Sequence, residues 1–155
     1  MKIAVLAVHR LGRAPEAALT ADWLDRASAA GRRLGLGPFE LIEVEGKRAE
    51  PDAEAAALLG RLEPGDRLVI CDERGRSRPS RDFAAELAAR RDEGVRRMVF
   101  AVGGASGLHA SVRACSHDAL GFGVQTWPHA LVRAMLAEQL YRAATILGGS
   151  PYHKD

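Results

Sequence analysis

Residues 98–108 read Met98-Val99-Phe100-Ala101-Val102-Gly103-Gly104-Ala105-Ser106-Gly107-Leu108, five apolar residues in unbroken succession and then a glycine-rich turn. A strand with one wet face alternates apolar and polar side chains, whereas a strand covered on both faces is apolar nearly throughout. Runs of similar character lie at 3–8, 39–44 and 67–71, and a weaker fifth at 119–125 is interrupted by Gly121 and Gly123. Helix-like stretches separate them at about 14–34, 51–62, 81–93 and 110–117. Pro51 suits a first helical turn, and Glu63-Pro64-Gly65-Asp66 reads as a stop followed by a turn. This alternation predicts an α/β fold, a parallel sheet with helices on both faces. No repeat, low-complexity linker or boundary divides the 155 residues, so a single domain spanning 1–155 is expected.

Composition bounds the function. A net charge of +2 and a pI near 8.8 do not announce a nucleic-acid binder, but permit one if the positive charge is concentrated. The first apolar run is short, ends at His9-Arg10 and lacks a small-residue cleavage site, so it reads as a strand and not a signal peptide. No apolar run approaches about 18 residues, and no membrane span is expected. Cys71 and Cys115 fit reduced thiols in a cytoplasmic protein, with a disulfide or metal pair as the alternative. Cys115-Ser116-His117 lacks zinc-site spacing, and His9, His109, His117 and His129 form no recognisable ligand set, so no metal is expected.

In an open parallel sheet, ligands gather beyond the carboxyl ends of the strands. Three unusual segments leave such ends: residues 71–81, 103–108 and 122–127. Gly103, Gly104 and Gly107 either make a tight strand-to-helix turn or admit a ligand close to the backbone. They do not form the dinucleotide fingerprint, and the chain has no Gly-Lys-Ser/Thr phosphate loop, which argues against a nucleoside triphosphate site. Arg74, Arg76, Arg78 and Arg81 crowd the first segment. Either they are a solvated loop before a helix, or their guanidinium forks bind the phosphates of RNA beside a pocket.

The last helix, 130–147, is apolar over more than one stripe. Val132, Leu136, Leu140 and Leu147 make one face, and Leu131, Met135 and Ile146 add a second. Since the sheet can cover only one side, a homodimer is expected to bury the other. Glu138 and Arg142, four residues apart, suit a simple helix ion pair; alternatively Arg142 reaches a ligand across the dimer. After the helix comes Ser150-Pro151-Tyr152-His153-Lys154-Asp155, an unusual composition for a chain end.

Together these pieces resemble a known family. Gly103-Gly104-x-x-Gly107-Leu108, Thr126-x-Pro128-His129-x-Leu131-Val132-Arg133, Ala137-Glu138-x-Leu140-Tyr141-Arg142-Ala143 and Pro151-Tyr152-His153-Lys154 are similar, in order, to motifs of the methyltransferase H family of the bacterial large ribosomal subunit. Phe39-Glu40-Leu41-Ile42-Glu43, Gly46-Lys47-Arg48, Asp72, Gly75 and Phe83-Ala84 extend the likeness over essentially the full length. Ala105-Ser106, Cys71 and Lys154-Asp155 depart from the family's usual residues.

The resemblance implies a SPOUT-type sheet with a C-terminal trefoil knot and a cytoplasmic homodimer. It implies S-adenosylmethionine-dependent methylation of N3 of a pseudouridine in 23S rRNA, on the assembled ribosome. It places the cofactor at Cys71, Gly103, Phe122, Gly123, Val124, Gln125, Thr126 and Trp127. His153 is then the candidate base for the N3 proton, Arg142 stabilises charge, and Tyr152 packs or hydrogen-bonds the base. Lys154 joins Arg74, Arg76, Arg78 and Arg81 on the RNA. A SPOUT enzyme acting on another RNA such as tRNA, or a non-catalytic nucleotide-binding α/β module, are the alternatives.

Overall fold

The computed structural model describes residues 1–46 and 50–154. Lys47 and Arg48 of the Gly46-Lys47-Arg48 motif, and the terminal Asp155, lie outside the described residues. In chain order the elements are β1 (Lys2–Val8), α1 (Pro15–Gly31), β2 (Phe39–Val44), α2 (Pro51–Leu59), β3 (Arg67–Arg76), α3 (Ser80–Asp92), β4 (Arg97–Val102), α4 (Ala110–Cys115), β5 (Asp118–Leu120) and α5 (His129–Leu147). Among the described residues the strands form one parallel sheet in the order β2-β1-β4-β3-β5.

β1 and β4 lie inside the sheet and are buried almost throughout, which is why both read as continuous apolar runs. Their side chains divide by parity. Ile3, Val5 and Ala7 join α1, α3 and α5 in one core through Leu24, Leu87, Leu136 and Leu140. Ala4, Leu6 and Val8 join α2 and α4 in a second core through Leu58 and Val112. Arg97, buried at the start of β4, is neutralised by the turn before β3, with Glu63 at 3.1 Å and Asp66 at 3.3 Å. The turn at 63–66 therefore both stops α2's connection and supplies counter-charges to the sheet.

The structure corrects several boundaries. β3 runs five residues past Cys71, because after a bulge the ladder resumes between Arg76 and Leu120 and the Gly121 N–H donates to the Arg76 carbonyl at 3.2 Å. Half of the expected basic loop is therefore strand. β5 is only three residues long, and the chain leaves the sheet at Gly121. The first helix ends at Gly31; a 3-10 turn at Arg32–Leu34 and the left-handed Gly35 (φ 67°) follow it.

Leu136 and Leu140 of the first stripe of α5 turn fully inward, whereas Leu131, Met135 and Ile146 of the second keep some exposure. α5 lies between α1 and α3, so these helices cover sides that the sheet cannot reach. Leu136, Leu140, Ala143 and Ala144 are fully enclosed within one chain. What remains exposed is a smaller patch at the helix entry, Val124, Trp127 and Leu131.

Candidate functional site

A cavity of about 690 Å³ opens at the carboxyl ends of β3 and β4, a size suited to a small organic ligand. Cys71, Asp72 and Glu73 form one wall and residues 103–108 a second. Phe122, Gln125, Thr126 and Trp127 form a third, completed by Pro128, His129 and Val132 from the start of α5. Of the residues expected at a cofactor, Cys71, Gly103, Phe122, Gln125, Thr126 and Trp127 line this space. Gly123 and Val124 do not, and Val124 is 96% exposed.

The glycine segment is both a tight turn and a cavity wall. A Cβ on Gly103 would stand 2.7 Å from the Gly107 carbonyl, and Gly107 adopts φ +75° while its N–H donates to Gly104 at 3.0 Å. Arg113 ties this wall to the next: its Nε donates to the Leu108 carbonyl at 3.1 Å, and its Nη1 pairs with Asp72. The third wall passes close beneath the end of β3. A Cβ on Gly75 would meet the Leu120 carbonyl carbon at 2.5 Å and the Gly121 nitrogen at 2.7 Å. The Gly123 N–H donates to Ser77 Oγ at 3.1 Å, Thr126 Oγ1 donates to Glu73 at 2.8 Å, and Trp127 Nε1 donates to the Phe122 carbonyl at 3.1 Å. The wall within β3 is thus tied to the glycine wall by Arg113 of α4, and Glu73 and Ser77 hold the third wall in place.

Arg133 anchors the entry of α5. It is fully buried, and its guanidinium donates to the carbonyls of Val8 and His9 and to Glu43, the last at 3.0 Å. The carboxyl end of β1 thereby holds the first turns of the helix that lines the cavity. Nη2 also faces His129 Nδ1 at 3.2 Å; because a guanidinium only donates, that nitrogen accepts. Burial, then Arg133 and His9, hold His129 below the ordinary imidazole range, so it is neutral at neutral pH. Sequence reasoning placed Arg133 in a motif but gave it no role, since nothing in helical periodicity marks a buried arginine.

The structure brings His153, Arg142 and Tyr152 together, away from the cavity lining of the same chain. Glu138 is the hub: Arg142 donates to its Oε1 from Nε at 3.0 Å and from Nη2 at 2.6 Å, and the Tyr152 hydroxyl donates to the same oxygen at 2.9 Å. The hydrogen bonds it donates to Glu138 raise the pKa of Arg142, while burial and then Glu138 raise that of Tyr152. Tyr152 is therefore a neutral phenol and no base. Arg142 Nη1 lies 3.3 Å from His153 Nδ1, so that ring nitrogen accepts as well. Arg142 stacks 4.9 Å from the Tyr152 ring, which packs on Tyr141 and Trp23. The structure shows the Glu138 ion pair of Arg142.

Residues 1–153 match the family described as "Predicted SPOUT methyltransferase". A protein of Caulobacter vibrioides, "Ribosomal RNA large subunit methyltransferase H", is 56% identical over 100% of this chain and 99% of its own length. Proteins with the same name from Phenylobacterium zucineum and Paracoccus denitrificans are 54% and 50% identical, each over 100% of both chains. This chain belongs to the methyltransferase H family of SPOUT enzymes. Among solved structures, a probable methylase family protein from Haemophilus influenzae shares the fold, with a TM-score of 0.54 at 15% identity over 99% of this chain and 70% of that one.

Within this SPOUT methyltransferase the basic segment divides. Arg74 and Arg76 are exposed on the strand extension, Arg81 is exposed on the first turn of α3, and Lys154 is exposed on the tail. Arg78 differs: its side chain is 9% exposed, pairs with Glu86 at 3.2 Å and bonds Asp118. It braces β5 against α3. Cys71 and Cys115 are both free thiols. Among the described residues no helix is long and apolar enough to cross a membrane, and no three His, Cys, Asp or Glu side chains are grouped to hold a metal.

Proposed function

We propose that this methyltransferase uses S-adenosylmethionine to methylate N3 of a pseudouridine in 23S rRNA on the assembled ribosome, as a cytoplasmic homodimer. The full-length identity to relatives named for the large-subunit RNA supports the substrate class. The observation that carries the chemistry is the 690 Å³ cavity walled by the outer part of β3 and two loops past strand ends. The residues present fit the cofactor: Leu108, Phe122 and Val132 offer apolar surface to an adenine, while Glu73 offers a carboxylate to a cationic sulfonium and Asp72 is held by Arg113. Bound S-adenosylmethionine supplies an electrophilic methyl group, and no other cofactor chemistry is needed.

The remaining work falls to the chain's own side chains. They must hold the acceptor nitrogen in line and remove its proton, which are tasks of proximity and of a base near its operating pH. His153 is assigned the proton, Arg142 the developing imide charge, and Tyr152 the nucleobase face. Since these three are absent from the cavity lining of their own chain, we assign a composite site in which the tail of one subunit completes the cavity of the other. The exposed Val124, Trp127 and Leu131 are the proposed apolar contact. Arg74, Arg76, Arg81 and Lys154 are the proposed phosphate contacts. The passage of residues 120–123 against Gly75 and Ser77 supports a trefoil knot there.

The experiment is methylation of 70S ribosomes, free 23S rRNA and tRNA, all from a strain lacking the gene, with mass-spectrometric mapping of the product. A methylpseudouridine in 23S rRNA is expected from ribosomes. Label confined to tRNA would overturn the substrate, and failure of calorimetry to detect S-adenosylmethionine uptake would overturn the enzyme.

A further inference from the structure

The glycine wall of the cavity rests on two imidazole–carboxylate pairs, both reaching it from the first turn of α2. His9, at the carboxyl end of β1, places Nε2 3.2 Å from Glu54 Oε1, and the Glu54 side chain is only 13% exposed. A Cβ on the buried Gly104 would stand 3.1 Å from His9 Nε2 and 3.2 Å from Glu54 Oε2, so this pair fills the space beneath the loop where a side chain would otherwise lie. His9 adopts φ 67°, a left-handed conformation that a residue with a β-carbon adopts at a cost. Contacts hold it there: its N–H donates to Val44 at 2.8 Å, and its carbonyl accepts from Arg133 at 2.8 Å.

The far end of the same loop is held in parallel. His109 is the N-cap of α4, its Nδ1 accepting from the Ser111 N–H at 3.3 Å. That bond leaves Nε2 to face Asp52 Oδ1 at 3.0 Å. Asp52 and Glu54 thus grip the residues on either side of the loop, from an element that contributes no atom to the cavity lining.

We propose that the first turn of α2 positions the methyl-donor loop: Glu54 through His9, and Asp52 through His109, hold residues 103–108 in the form that accepts S-adenosylmethionine. This rests on the cofactor reading above. None of the four side chains is a catalytic residue; they act through the loop. If the clamp is released so that the loop is competent about one-tenth of the time, apparent affinity falls about tenfold with no contact to the cofactor altered.

The test uses the full chain and its Glu54→Gln, Asp52→Asn and doubly substituted forms, with Glu93→Gln on the surface pair with Arg90 as control. Hydrogen exchange of ligand-free protein is expected to quicken in residues 103–108 of the double variant and not elsewhere. S-adenosylmethionine Kd and KM should rise together by about tenfold, with kcat at saturating cofactor within about twofold of the parent. Unchanged exchange in that segment, or faster exchange spread over the whole chain with a lower melting temperature, would overturn the clamp. Should Glu54→Gln fail to fold, Asp52→Asn judges it, since that side chain is 85% exposed. If the parent itself takes up no S-adenosylmethionine, the proposed function falls while the exchange measurement still decides the clamp.

Discussion

Cys71 shows how the cavity alters a single group. Burial, and secondarily the charge of Asp72, push its thiol up to about 12 from an ordinary 9.0. It therefore stays protonated and slow to react, whereas Cys115 is exposed to reagents. Iodoacetamide at pH 8 should label Cys115 and spare Cys71 in the folded chain, and equal labelling of the two would contradict this enclosure. His129 offers a second measurement. Its pKa lies below the ordinary 6.5, so below pH 6.5 the unfolded chain takes up this proton before the folded one, and stability falls as pH drops through that window. His129→Gln should flatten this acid limb in urea titrations between pH 7 and 5. Arg133→Met would leave the Val8 carbonyl and Glu43 without their buried partner, and a loss of about 3 kcal/mol is expected by denaturant unfolding.

At the level of strands and helices, Gly75 leaves no room for a side chain. A methyl group there meets backbone on both sides of the Leu120–Gly121 peptide and no flexible side-chain end could yield. Gly75→Ala should cost about 1–3 kcal/mol in urea unfolding and weaken S-adenosylmethionine uptake, because the wall that shifts carries Phe122. The strands β1 and β4 were readable from their unbroken apolar runs, and so was the sheet with helices on both faces. The extension of β3 was not, because the ladder past Cys71 is backbone bonding, to which the polar Asp72, Glu73 and Arg74 give no sign. The cavity walls were readable as glycine-bearing segments past strand ends. The His9–Glu54 support was not, since neither a left-handed histidine nor a carboxylate brought from a distant helix leaves a periodic trace. Tyr152 and His153 stand out by composition, but their meeting with Glu138 and Arg142 depends on the turn at Gly148 and Gly149, where φ reaches 68°.

For the molecule as a whole, the cavity and the tail cluster are separate constructions joined by α5. If a site takes its cavity from one subunit and its tail from another, then mixing two inactive forms should restore function. Chains carrying Gly103→Val, which cannot make the turn against Gly107, are to be co-folded with chains carrying His153→Ala. Heterodimers should recover about half of a normal dimer's activity, as one of two sites is then whole; no recovery would place both halves in one chain. The same design implies a spread-out contact with RNA: Arg74→Ala with Arg76→Ala should weaken ribosome binding and lower its salt dependence by about two counterions, with cofactor uptake unchanged.

Glu138 gives this architecture a single point of failure. Gln139 donates to its other oxygen at 2.7 Å, so one carboxylate gathers four bonds; it holds Arg142 and Tyr152 directly, and His153 through Arg142. A bacterium altered only there, with its terminal Tyr-His-Lys intact, ought to carry ribosomes as unmodified as one whose gene stops short of residue 152.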